Sequence, residues 1–228
     1  MTTVTADMGG AELSHRPAGF RYGVVFALVL LTVVFEVLAP DADWARALAI
    51  ALVGGALTVA VATSRDRAQV RRARTVVVGG SALIIVLGIA TGVVHAWGAF
   101  LVGTVLAALI PVALGGGLIR LIRDSGVTVQ AVAGALAVYL LVGLLFASAI
   151  SFVAAIQGNA FFAQGAHVSN GDRVYYSFTV LTTTGFGDYT TATPAGHALA
   201  VLEMLIGQLY LVTVIGILIG NFAGRRRT

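Results

Sequence analysis

The chain has 228 residues, of which 58% are hydrophobic and 11% charged, and its mean hydropathy is +0.96. A soluble domain carries about 25% charged residues, so this chain cannot cover itself with polar surface, and the composition points to a polytopic membrane protein. All 14 basic residues are arginines, set against 10 acidic residues. They fall in short segments between apolar runs, which suits a membrane protein and speaks against nucleic-acid binding. The absence of cysteine excludes disulfides, thiolate metal sites and cysteine nucleophiles.

In chain order, residues 1–18 are polar and lack the apolar core of a signal peptide, so they are expected to form a cytoplasmic tail. A bilayer-crossing helix needs about 20 apolar residues. Six runs meet that length: 20–39, 44–63, 75–95, 97–119, 127–156 and 195–222. Charge placement tests this reading. With the N-terminus inside, twelve arginines lie on the cytoplasmic side, and only Arg46 and Arg173 lie outside. That asymmetry requires an even number of spans and puts both termini in the cytoplasm. Trp44 and Trp97 then fall at the outer interface, where an indole has an apolar body and a polar N–H to place.

Segment 157–194 does not read as a plain loop. A Gly/Asn/Ser-rich start (157–171) is followed by a short apolar stretch (172–183), with Asp172 as the expected helix N-cap. A short helix followed by glycine-rich backbone at membrane depth is tolerated only where it lines an aqueous path. A dehydrated cation needs its water shell replaced by oxygen dipoles, which a row of backbone carbonyls can supply. Facing successive carbonyls one way requires alternating left-handed residues, and Gly185 and Gly187 meet that need at little cost. The C-terminal end of the preceding helix would favour a cation there.

The run Thr182-Thr183-Thr184-Gly185-Phe186-Gly187-Asp188 resembles the filter signature of potassium channels. The resemblance covers about 127–227, as outer helix, pore helix, filter and inner helix. It implies an all-α membrane protein of six transmembrane helices, with a re-entrant pore helix and filter loop between the fifth and sixth. Four copies would then form the pore. It implies potassium sites at the carbonyls of Thr183, Thr184, Gly185, Phe186 and Gly187, with the Thr183 hydroxyl as a further ligand. Tyr175 and Tyr176 fall where the family places an aromatic cuff, and Asp188 where it places a carboxylate that bonds behind the filter. Three positions depart from the pattern: Phe186 replaces the commoner Tyr, Thr184 replaces Val or Ile, and Thr179 stands where many relatives carry Glu. The domain division implied is a tail (1–18), a four-helix accessory region (19–123) and a pore domain (124–228).

On the last span, Gly207 matches the family's hinge glycine, with close helix packing as the alternative reading. Glu203 lies inside a span, where a charge is costly. It is expected to bond Thr179 or Ser177 on the pore helix, or else to ring a cavity. Gln208 is a cavity-lining candidate or an interhelical hydrogen-bonding group. Gly216 and Gly220 read as packing residues. His95, His167 and His197 read as interfacial or pH-sensing groups, and Glu36 as reaching the outer interface. The fourth run contains no arginine, since Arg120 and Arg123 follow it, so strong voltage gating is not expected. The early runs read as an accessory bundle packed through Gly54-Gly55 and Gly79-Gly80.

The function expected is passive potassium transport by a homotetramer in a bacterial plasma membrane. Its partners are lipid and other copies of itself; it uses no cofactor, and potassium is the permeant ion. The alternatives are a non-selective cation channel and a proton-coupled transporter using Glu203 and His95. No nucleophile, metal set or acid pair at catalytic spacing supports an enzyme.

Overall fold

The computed structural model describes residues 21–42, 48, 52, 96–157, 160–165 and 168–224. Its helices are α1 (Arg21–Leu38), α2 (Ala96–Ser125), α3 (Val129–Ile156), α4 (Asn170–Leu181), α5 (Pro194–Leu209) and α6 (Gly216–Gly224). A π-helical turn, Tyr210–Ile215, joins α5 to α6 without a break. The single β-bridge among the described residues pairs Phe162 with Thr191.

Local sequence explains the helix starts. Thr128 caps α3 by accepting from the Ala131 amide at 3.3 Å. Thr193 caps α5 by accepting from the Gly196 amide at 3.1 Å, with Pro194 in the first turn, where its missing N–H costs nothing. Helix α4 begins with a capping box. The Ser169 hydroxyl accepts from the Asp172 amide at 3.1 Å, and the Asp172 carboxylate accepts from the Ser169 amide at 3.0 Å. Asp172, the expected cap, therefore sits inside the first turn, and Ser169 is the cap instead. The sequence pattern masks this because both residues are good caps.

Helix α3 is the centre of the packing. On one side, Tyr22, Val25 and Val29 of α1 and Leu114 of α2 bury themselves with Ala137, Val138, Leu141 and Leu144. Small residues on α3 let large ones close in. A β-carbon at Gly134 would come within 2.9 Å of the Tyr22 ring, and one at Gly143 within 2.6 Å of the Phe178 ring. On the other side, Ile150 and Ala154 pack with Phe161, Phe162, Tyr176, Val180 and Ala200. The end of α1 meets the start of α4, where a β-carbon on Gly171 would lie 2.8 Å from the Val37 carbonyl oxygen. Asp41 accepts from the Asn170 amide there at 3.0 Å.

This arrangement corrects the six-span fold with its re-entrant pore helix. Among the described residues only two stretches are long and apolar enough to cross a membrane, Val129–Ile156 and Pro194–Gly220. The first expected span falls short, because its apolar helix is only Tyr22–Leu38. The fourth is part of a longer helix that runs through Pro111 and ends with Arg123 in its last turn. The second span, apart from residues 48 and 52, and the third lie outside the described residues, as do residues 1–18, His95, His167, Trp44, Gly54-Gly55 and Gly79-Gly80. In place of a re-entrant pore helix there is a short helix, α4, which starts at residue 170 and packs on α1, α3 and α5 of its own chain.

Candidate functional site

The segment after α4 is held by the end of that helix. The Thr179 carbonyl accepts from the amides of both Thr184 (2.9 Å) and Gly185 (3.0 Å), and the Val180 carbonyl accepts from the Thr183 amide (2.9 Å). These bonds satisfy carbonyls that a helix end leaves open. Thr179 is itself buried, and its hydroxyl donates to the Tyr176 carbonyl at 2.8 Å. The Thr182 and Thr184 hydroxyls lie 2.9 Å apart.

Backbone angles then alternate. Thr183 has φ +58°, Gly185 +54° and Gly187 +81°, while Thr184 and Phe186 between them do not take positive φ. The two glycines adopt this region freely. Thr183 does not, since a β-branched residue with positive φ is an outlier that its surroundings must hold in place. The sequence signals the glycines but not Thr183, whose conformation comes from the amides anchored on either side of it. Residues 182–188 are exposed, and a β-carbon at Gly185 or Gly187 would meet nothing within 4 Å.

Aromatic and acidic groups brace the outer side. The Phe186 ring lies parallel to Tyr175, with centroids 6.4 Å apart and planes at 3°. Tyr189 meets Tyr175 edge-on at 6.2 Å. A hydrogen bond to the Asp188 carboxylate raises the Tyr175 hydroxyl above its ordinary value. One to Asp172 does the same for Tyr189. For Asp172, burial pushes upward, but the bonds from Ser169 and Tyr189 and the Arg173 charge outweigh it, so the carboxyl sits below its usual range. Tyr176 turns inward, edge-on to Phe162 at 5.1 Å.

Gln164 escaped notice in the sequence. Its side-chain amide donates to the Asp188 carbonyl at 2.8 Å and accepts from the Thr190 amide at 3.2 Å, tying the segment's far end to the preceding loop. Nothing local marks it, since both partners are more than 20 residues away. His197 lies near the same end, with Nε2 3.0 Å from the Thr191 carbonyl.

Behind the segment, Glu203 of α5 is fully buried, and Ser177 Oγ lies 2.5 Å from its Oε1. Of its two expected partners, Ser177 takes the bond. The Tyr139 hydroxyl donates to the Leu181 carbonyl at 3.1 Å. Gly207 lies against that same carbonyl, where a β-carbon would fall 2.1 Å from the oxygen. Gln208 is exposed and joins neither group. Among the described residues no cluster of His, Cys, Asp and Glu could hold a metal.

Residues 137–223 match the family model described as ion channel. That stretch takes in most of α3, all of α4, the alternating segment and α5 with most of its continuation. Comparison with curated proteins and with solved structures finds no match. The match is to a channel, not an enzyme, and together with the two membrane-length helices it describes an integral membrane protein with an ion-channel-like domain over part of its length.

Proposed function

We propose that this chain is one subunit of a potassium-selective channel, with residues 183–187 as the selectivity filter and 124–228 as the pore domain. The observation that carries the reading is the left-handed backbone at Thr183, Gly185 and Gly187, every second residue along an exposed segment anchored to a helix end. Such alternation suits main-chain oxygens that must replace an ion's hydration shell. The carbonyls of Thr183, Thr184, Gly185, Phe186 and Gly187 would bind potassium as cargo, with the Thr183 hydroxyl adding a ligand. Tyr175, Tyr176, Thr179 and Asp188 would support them.

One chain supplies one such strand, so four copies around an axis would complete the ring. The outward side of α5 supports assembly. Its buried positions are Gly196, Ala200, Glu203 and Gly207, while Val201, Leu202, Leu205 and Leu209 are exposed. Lipid and neighbouring copies would cover them. Gly207 would serve as the hinge of the inner helix, and Gln208 would face the ion path.

Reversal potentials of the purified protein in liposomes, with potassium on one side and sodium on the other, test this. Strong potassium preference is the expected result. Equal permeability would leave a non-selective cation channel, and saturable proton-coupled flux without unitary currents would point to a transporter.

A further inference from the structure

Three oxygen atoms lie in a row behind the alternating segment. Ser177 Oγ is 2.8 Å from the Gly143 carbonyl on α3 and 2.5 Å from Glu203 Oε1 on α5. All three residues are buried, and Ser177 and Glu203 have no exposed surface. A serine hydroxyl has one proton to donate. If Glu203 were a carboxylate, both neighbours of Ser177 would be acceptors, and one of the two short contacts would be oxygen facing oxygen with no hydrogen between. The other carboxylate oxygen sharpens the problem, because Glu203 Oε2 is buried with no hydrogen-bond partner among the described residues. A charged oxygen left unpaired in that setting costs far more than a neutral carbonyl oxygen does.

One extra proton resolves all of this. We propose that Glu203 is held in its protonated form and acts as a proton-bearing clamp, donating from Oε1 to Ser177 Oγ while Ser177 donates to the Gly143 carbonyl. The chain of donors then runs α5 to α4 to α3 and fixes the short helix between the two membrane-length ones. The titratable groups facing Glu203 are Tyr139 from α3 and Tyr176 from α4, and neither brings a positive charge. The Tyr139 hydroxyl is committed to the Leu181 carbonyl. The clamp sits two residues from Thr179, whose carbonyl holds the Thr184 and Gly185 amides. Glu203 is thus a positioning residue, and its effect on ion choice, though not its protonation, rests on the channel reading above.

Infrared spectroscopy of the full-length protein in lipid, near neutral pH, tests the proton directly. A carbonyl stretch typical of a protonated carboxylic acid is expected in the native chain and is expected to vanish in Glu203→Gln. Loss of a carboxylate band in its place would overturn the proposal. Thermal unfolding provides a second arm. The amide of Glu203→Gln can still donate to Ser177, so this variant is expected to keep native stability, whereas Glu203→Ala and Ser177→Ala lose it. A Gln variant as damaged as the Ala variant would equally overturn the clamp. Neither infrared bands nor unfolding reads ion flux, so both arms hold their meaning if the protein proves not to select potassium.

Discussion

At Gly207 a side chain has nowhere to go. The β-carbon would overlap the Leu181 carbonyl oxygen, which also accepts from Tyr139. Gly207→Ala is expected to destabilise the folded chain by about 1–3 kcal/mol, the usual cost of forcing extra volume into packed structure. Thermal unfolding in detergent checks this, and a change within error would mean that α5 and α4 separate easily there. Glycine at 207 is visible in the sequence, but a lone glycine does not say whether it bends a helix or admits a neighbour. That distinction depends on Leu181, 26 residues earlier. Gly185 and Gly187 are different, because their spacing and the threonines before them mark an unusual backbone by themselves. Thr183 shows the limit of such reading, since its left-handed backbone is imposed by Thr179 and Val180 rather than by its own preference.

Helix α4 owes its start to Ser169 and Asp172. Removing a serine cap costs about 1 kcal/mol, and Ser169→Ala is expected to lower stability by about that much. The same pair gives a pH dependence. The Asp172 carboxyl is depressed in the folded chain, so its contribution is complete above the ordinary aspartate range and is lost as pH falls through the lowered value. Unfolding followed from neutral to acid pH is expected to show that loss, with a shallower profile in Asp172→Asn. An unchanged profile would mean that the Ser169 bonds do not persist in solution. The two membrane-length helices were legible to within two residues at most of their ends, because long apolar runs closed by polar caps leave little choice. The start of α4 was not, because Ser169, Asn170 and Asp172 are all competent near a helix start and only the reciprocal bonds choose among them.

Across the molecule, apolar surface is distributed unevenly. Helix α3 is largely enclosed by its own chain, whereas α5 and its continuation present Val201, Leu202, Leu205, Leu209, Val212, Ile217 and Ile219 outward. No single chain can hide such a surface in water. Native mass measurement in mild detergent is expected to give four times the 23.4 kDa chain. A monomer under all conditions would remove the assembled pore. Among the described residues, apolar runs alone overcounted the helices long enough to cross a membrane. Hydrophobicity gives the length of a run but not how a helix continues beyond it, and α2 carries on past its apolar part to Arg123.

The wide turn at Tyr210–Ile215 has a consequence for the lower half of the chain. Such a turn accommodates one surplus residue while the regular helix on each side keeps its phase. Tyr210 anchors the upper edge by donating to the Ala135 carbonyl at 2.8 Å, and Leu218 below it is buried with Ala131 and Ala135. Deleting Val212, an exposed residue within the turn, is therefore expected to leave Leu218 facing Ala131. Deleting both Val212 and Thr213 exceeds that one surplus residue and would swing everything after them by about 100°. With thiols introduced at 131 and 218 of this cysteine-free chain, cross-linking is expected to survive the first deletion and fail after the second. Chain length at this one place is elastic, and relatives differing by a single residue there can share the same lower surface.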